Sequence, residues 1–157
     1  MTRTHPFVRV VVLAFDNVGL TLECLQSLVD SQWPTDRMQV VLVDNGSLDD
    51  VVAQVRERFP AVAILEPLEN LGFAAGCNLG ITSTTCSLGR ELIPFDLVAL
   101  VNNDATVASN WLDELVPVLM SRSDLGAVSP KMLFAPRYAE ILVSKLFLDD
   151  PETPPQA

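Results

Sequence analysis

The chain has 157 residues, and its twenty acidic side chains against ten basic ones give a formal charge of -10. That balance argues against a nucleic-acid-binding surface, which needs clustered Lys and Arg, and against a polybasic patch for anionic lipid. With 49% apolar residues, no run near the ~18 residues of a membrane span and no signal peptide expected, the composition points to one globular domain with no transmembrane segment.

The span from Phe7 to Phe15 is β-branched and apolar and reads as a first buried strand. It ends at Asp16 and Asn17, and Asn17 is placed to cap the next helix. Leu22, Leu25, Leu28 and Val29 form one apolar face of that helix, which Trp33-Pro34 is expected to close. Met38 to Val43 is the second strand and runs into Asp44-Asn45-Gly46-Ser47-Leu48-Asp49-Asp50. Ser47 with Asp50 three residues on predicts a capping box for a helix buried through Val51, Val52, Val55 and Phe59 and stopped by Pro60. Ala61 to Leu65 reads as a short third strand. Leu71 to Ile81 reads as a helix starting near Gly72, with small residues at Gly72, Ala75, Gly76 and Gly80 for close approach to backbone or ligand. Thr82 to Glu91 is polar loop.

Leu97 to Val101 is an unbroken apolar run that stops at Asn102, Asn103 and Asp104. It predicts a strand buried on both faces. Asn110 and Asp113 frame a helix carrying Trp111, Leu112, Leu115, Val116 and Leu119, with a kink or early end at Pro117. Gly126 to Ser129 and Ile141 to Leu148 read as further strands. Residues 149–157, with Pro151, Pro154 and Pro155, read as a disordered tail after a domain spanning 1–148. The β-α-β-α-β alternation predicts a Rossmann-like, mainly parallel sheet with helices on both faces.

Three strands thus end in a carboxylate beside an asparagine: Asp16, Asp44 and Asp104. In open α/β sheets ligands sit beyond the carboxyl ends of the strands. Adjacent strands would bring these ends to one crevice suited to a base and ribose. Asp104 among amide oxygens suits a hard divalent cation that keeps several waters and grips a diphosphate; an acidic protein meeting a phosphorylated ligand also favours such a cation. Asp16 and Asp44 can equally cap the helices that follow them. Cys24, Cys77 and Cys86 show no metal spacing, and an odd count of scattered thiols suits a reducing, cytoplasmic setting. His5, the single histidine, has no assigned role.

Four blocks in order, Val-Val-Leu-Ala-Phe-Asp-Asn, Val-Asp-Asn-Gly-Ser-Leu-Asp-Asp, Asn-Leu-Gly-Phe-Ala-Ala-Gly-Cys-Asn-Leu-Gly-Ile and Leu-Val-Asn-Asn-Asp-Ala, closely resemble the family 2 glycosyltransferases. These have the GT-A nucleotide-sugar-binding fold, and the resemblance is strongest to rhamnosyl- and galactofuranosyltransferases of bacterial cell-surface polysaccharides. It covers Val10 to about Lys131. It implies that Ala14, Phe15 and Asp16 line the nucleoside pocket and that Asp44 hydrogen-bonds the base. Asn70, Gly72 and Asn78 are implied to sit against the nucleotide and sugar-diphosphate. Asn102, Asn103 and Asp104 occupy the Asp-x-Asp-type motif, with Asp104 on Mg2+ or Mn2+. Further implications are a UDP- or dTDP-linked donor, a glycan or lipid-linked acceptor, inverting transfer and a peripheral place at the inner membrane face. The family's general base lies downstream, and Glu140, Asp149, Asp150 and Glu152 do not match its motif. The GT-A domain is therefore expected to be incomplete at its C-terminus and to transfer no sugar alone.

Two rival readings fit less well. A phospho-acceptor receiver shares the alternation and could use Asp16 and Lys131, but needs an aspartate after the third strand, where Glu66-Pro67 stands. A dinucleotide oxidoreductase needs Gly-x-Gly-x-x-Gly after the first strand, where Gly19 stands alone.

Overall fold

A computed structural model describes residues 5–133. The expected strand at Ile141 to Leu148, the tail at 149–157, the domain boundary at 148 and the carboxylates from Glu140 onward lie outside the described residues.

Four parallel strands form one sheet: β1 (Val8–Ala14), β2 (Met38–Asp44), β3 (Ala63–Leu65) and β4 (Leu97–Asn102), in the order β3-β2-β1-β4. The helices are α1 (Val18–Val29), α2 (Val51–Arg58), α3 (Gly72–Thr82) and α4 (Trp111–Met120). The even residues of β1 (Val8, Val10, Val12 and Ala14) pack with Leu25 and Leu28 of α1, Val51 and Val55 of α2, and Leu112 and Val116 of α4. The opposite face, with Val11, Val41 and Val43, is covered by α3 and by Cys86 and Leu92. Two steps, β1 to β2 and β2 to β3, run one way across the sheet with helices on one face. The step from β3 to β4 returns past β1 with its helix on the other face, so all the crossovers keep one hand. Each fully withdrawn Val or Leu of β1 and β2 contributes about 1.5–3 kcal/mol.

Arg9, the second residue of β1, is a buried charge. It points to the α3 face, where its guanidinium donates to the carbonyls of Ile81 at 2.8 Å, Ser83 at 3.0 Å and Ile93 at 2.9 Å and lies 4.4 Å from the centre of the Phe95 ring. It therefore closes the carbonyl end of α3, where a cation also complements the helix dipole. Burial lowers its pKa from the usual arginine value.

The structure corrects several expectations. Gly126–Ser129 is not a strand: the residues there are irregular and make no ladder. β4 is not buried on both faces but alternates, with Val98 42% and Leu100 51% exposed. Among the described residues it lies at the end of the strand order, and Leu97, Ala99 and Val101 pack on the α1/α4 side while Val98 and Leu100 face outward. Asn17 does not cap α1 with its side chain; it stands in the left-handed region at φ 60°, and Asp49 Oδ2 accepts the Val18 N–H at 2.8 Å instead. The Ser47/Asp50 capping box does not form, because Ser47 Oγ is turned to the Asp16 N–H at 2.9 Å. Helix α1 ends at Val29, four residues before Trp33, which is buried and donates through Nε1 to the Arg37 carbonyl at 3.2 Å. Val29 is exposed, and Thr21 and Cys24 complete the buried stripe with Leu25 and Leu28. Pro117 does not end α4 early; the helix runs three residues past it.

Candidate functional site

Register decides the site. Ala14 of β1 stands opposite Asp44 of β2, and Leu13 stands opposite Asn102 of β4. The carboxyl ends of the three strands are therefore level, and the loops that follow share one edge. Chain order reverses between β1 and β4, the topological switch point at which open α/β sheets leave a crevice.

Hydrogen bonds between the loops hold this edge. Asp16 Oδ1 accepts the Leu48 N–H at 2.8 Å, and the Asp16 N–H donates to Ser47 Oγ, so the first and second loops are laced together. Asp16 and Asn17 both take positive φ, 56° and 60°, a conformation the lacing enforces at some cost for a residue with a side chain. Asp44 Oδ1 accepts the Ser47 N–H at 3.1 Å and turns the second loop. Across the switch point, Asn103 Nδ2 donates to Thr21 Oγ1 at 3.0 Å and to the Asp16 carbonyl at 3.4 Å. The backbone of Asn102 accepts from Cys24 Sγ at 3.5 Å and from the Ala105 N–H at 3.1 Å, turning the chain so that Asp104 is exposed at the rim.

The residues singled out in the sequence take different places. Ala14 is fully buried with its carbonyl bonded to the Asn45 N–H at 2.8 Å, so it forms the floor. Phe15 is half exposed beside it. Asp16, Asp44, Asn102, Asn103 and Asp104 converge as described. Asn70 and Gly72 join them through the third loop, where Asn70 Oδ1 accepts the Gly72 N–H at 2.8 Å and Gly72 has φ 74°. Asn78 stands apart: it is exposed on α3, two residues from Gly76, which faces Leu13, so its side chain lies on the helix face turned away from the sheet.

Sequence reading passed over Asn45. It is 3% exposed and binds both Asn70 and the start of α3. The available signal was an amide directly after a buried strand and before Gly46, whose φ of 87° marks a tight turn.

The loops 15–17, 44–50, 66–71 and 102–110 contain no lysine or arginine. Among the described residues no group of three or more His, Cys, Asp or Glu is placed to hold a metal ion. The described residues thus offer no ready-made cation cage, and the exposed rim carboxylate of Asp104 follows Asn102 and Asn103 directly in the chain. Such a set fits a hard cation that takes its remaining ligands from water and from phosphate oxygens.

A model of the family described as Glycosyl transferase family 2 matches residues 9–132. Glycosyltransferase AglE of Haloferax volcanii is 25% identical over 122 residues, 76% of this chain and 37% of that protein. Beta-monoglucosyldiacylglycerol synthase of Trichormus variabilis is 25% identical over 135 residues, 86% of this chain and 28% of that one. The chain therefore spans about a third of the length of these curated relatives. Among solved structures, a mannosyltransferase from Pyrobaculum calidifontis in complex with GDP-Man and Mn2+ superposes with a TM-score of 0.68 at 24% identity, covering 89% of this chain and 39% of that one. S. aureus TarS 1-349 in complex with UDP-GlcNAc superposes with a TM-score of 0.61 at 17% identity, covering 82% and 38%. These likenesses show a shared GT-A-like fold. No helix among the described residues is long and apolar enough to cross a membrane.

Proposed function

Because the chain belongs to glycosyl transferase family 2, we propose that it binds a nucleoside-diphosphate sugar in the crevice between the ends of β1 and β4, together with Mg2+ or Mn2+ at Asp104. The observation that carries this reading is the level ending of β1, β2 and β4, which brings Asp16, Asp44 and Asn102 to Asp104 to one edge. Phe15 offers an apolar face to the base, and Asp44 an acceptor for its N–H. Asn70 and Gly72 meet the diphosphate, and the sugar extends towards the start of α3; Asn78, on the face of that helix turned away from the sheet, is left out of this reading. The bound cation supplies Lewis-acid stabilisation of the departing diphosphate. Since the four loops bring no basic side chain, that charge has no other counterpart there.

The finer parts of the proposal follow the resemblance. The domain spans 1–148, the donor carries UDP or dTDP, and the transfer inverts at the anomeric carbon onto a glycan or lipid-linked acceptor of the cell surface. The rhamnosyl- and galactofuranosyl-transferring subgroup is the proposed class. The proposed setting is cytoplasmic, at the inner membrane face. GDP belongs in the test, since the Pyrobaculum neighbour carries GDP-Man.

Calorimetric titration with UDP, dTDP and GDP, with and without Mn2+, tests the reading. We expect binding that requires the metal and is lost in Asp104→Ala. Equal binding without metal, or in Asp104→Ala, would overturn the assignment of Asp104. Absence of binding by every nucleotide in a folded chain would overturn the donor site.

A further inference from the structure

The amide of Asn45 can adopt only one orientation. Its Oδ1 accepts the Leu71 backbone N–H at 2.8 Å, and a backbone N–H can only donate. Its Nδ2 must then face the other way, where it donates to Asn70 Oδ1 at 3.0 Å and to the Gly72 carbonyl at 3.4 Å. Asn70 Oδ1 also accepts the Gly72 N–H, so a second backbone donor fixes the second amide in the same sense. Asn45 is buried and Asn70 is exposed. The β2–α2 loop presses on this arrangement: a Cβ at Gly46 would lie 3.3 Å from the Asn70 backbone nitrogen.

We infer that Asn45 is a positioning residue that holds the Asn70 oxygen inward and so makes Asn70 a hydrogen-bond donor, through Nδ2, to an oxygen acceptor of the bound nucleotide sugar. The inference rests on the donor-site reading for its ligand, and on the amide geometry alone for its positioning. The acceptor is a diphosphate oxygen or a sugar hydroxyl, which are the same chemistry to an amide N–H. Asn45 itself is 3% exposed and engages residues 70–72 with both its oxygen and its amide nitrogen, so it acts through Asn70.

Three variants test this in the full chain with Mn2+, using UDP and UDP-GlcNAc, with GDP and GDP-mannose alongside. Asn70→Asp keeps an oxygen for Asn45 and Gly72 but replaces the outward donor with a negative charge. We expect it to weaken binding about tenfold or more with little change in Tm. Loss with the nucleoside diphosphate identifies a phosphate oxygen as the acceptor; loss with the nucleotide sugar alone identifies a hydroxyl. Asn45→Ala should weaken binding about fivefold, but should add nothing on top of Asn70→Asp. Asn45→Asp still accepts from Leu71 but repels the Asn70 oxygen, so it should keep the Leu71 amide slow to exchange with solvent while losing affinity. A purely structural Asn45 would not separate these two readouts. Undiminished binding by Asn70→Asp, additive losses in the double variant, or full affinity in a folded Asn45→Asp would each overturn the inference. If the wild-type chain binds none of the nucleotides, the proposed function and the ligand clause fail together. Faster exchange of Leu71 in Asn45→Ala would still support the positioning, and unchanged exchange would overturn it.

Discussion

Cys24 sits buried under the end of β4 with its thiol on the Asn102 carbonyl. Burial, with a smaller contribution from the charge of Asp104, pushes its pKa up to about 12 from 9.0. The folded state then keeps a proton that the unfolded state loses. The stability this confers is complete below about pH 9 and is lost as pH rises towards 12. Denaturant melts at a series of pH values should show a shallower fall above pH 9 in Cys24→Ala than in the wild type, although Cys24→Ala starts lower through lost packing. Two glycines of α3 make a second comparison at this scale. A Cβ at Gly76 would meet the far end of the Leu13 side chain at 2.5 Å, whereas one at Gly80 would meet Val11 and Val43. Leucine can rotate away; valine in a strand is stiff at χ1. Gly80→Ala should therefore destabilise by about 1–3 kcal/mol through overpacking. Gly76→Ala should stay within about 1 kcal/mol of neutral, because helix propensity returns up to ~1 kcal/mol. Thermal melts of the pair check both values.

At the scale of elements, the sequence was legible wherever a pattern is local and illegible wherever its partner is distant. The four strands and four helices of residues 5–133 follow from apolar runs, proline stops and the glycine start at Gly72. The caps did not follow, because Asp49 caps a helix that begins 31 residues before it, and no local motif encodes such a bond. The burial of β4 was hidden because Leu97 to Val101 is apolar on every residue, and such a run looks the same in the middle of a sheet as at the end of one. Leu100→Thr should consequently cost less than about 0.5 kcal/mol, as surface changes do, whereas Val12→Thr on the central strand should cost several times more; urea unfolding of the two distinguishes them. Proline at the seventh residue of the ten in α4 removes a backbone hydrogen bond to Asp113 and crowds that carbonyl. Pro117→Ala should raise the Tm, and an unchanged or lower Tm would mean that the ring's packing outweighs the missing bond.

Across the whole molecule, the site is a product of strand order. Asp16, Asp44 and Asp104 are scattered through 89 positions of sequence and become neighbours only because β1 lies between β2 and β4. The three polar strand ends were readable from the residues, and the sugar-transfer chemistry only from the likeness of four motifs to a family. Asn45 was not readable as an organiser, because its partners belong to a loop 25 to 27 residues away. Arg9 has the same character on a larger scale. Arg9→Met would leave the carbonyls of Ile81, Ser83 and Ile93 without their donor, at about 1–3 kcal/mol for each that stays dry. We expect a cooperative melt at clearly lower denaturant, with the 83–93 segment the first to lose protection from exchange.

Arg9 also sets a clock on synthesis. The carbonyl of Ile93 that accepts from its guanidinium is made 84 residues after Arg9 itself. At roughly 5–20 residues per second the nascent strand waits on the order of ten seconds with an unmatched cation and one bare edge. Until β4 emerges, the far edge of β1 has no strand to pair with, and a helper that shelters nascent apolar strands has that interval in which to act.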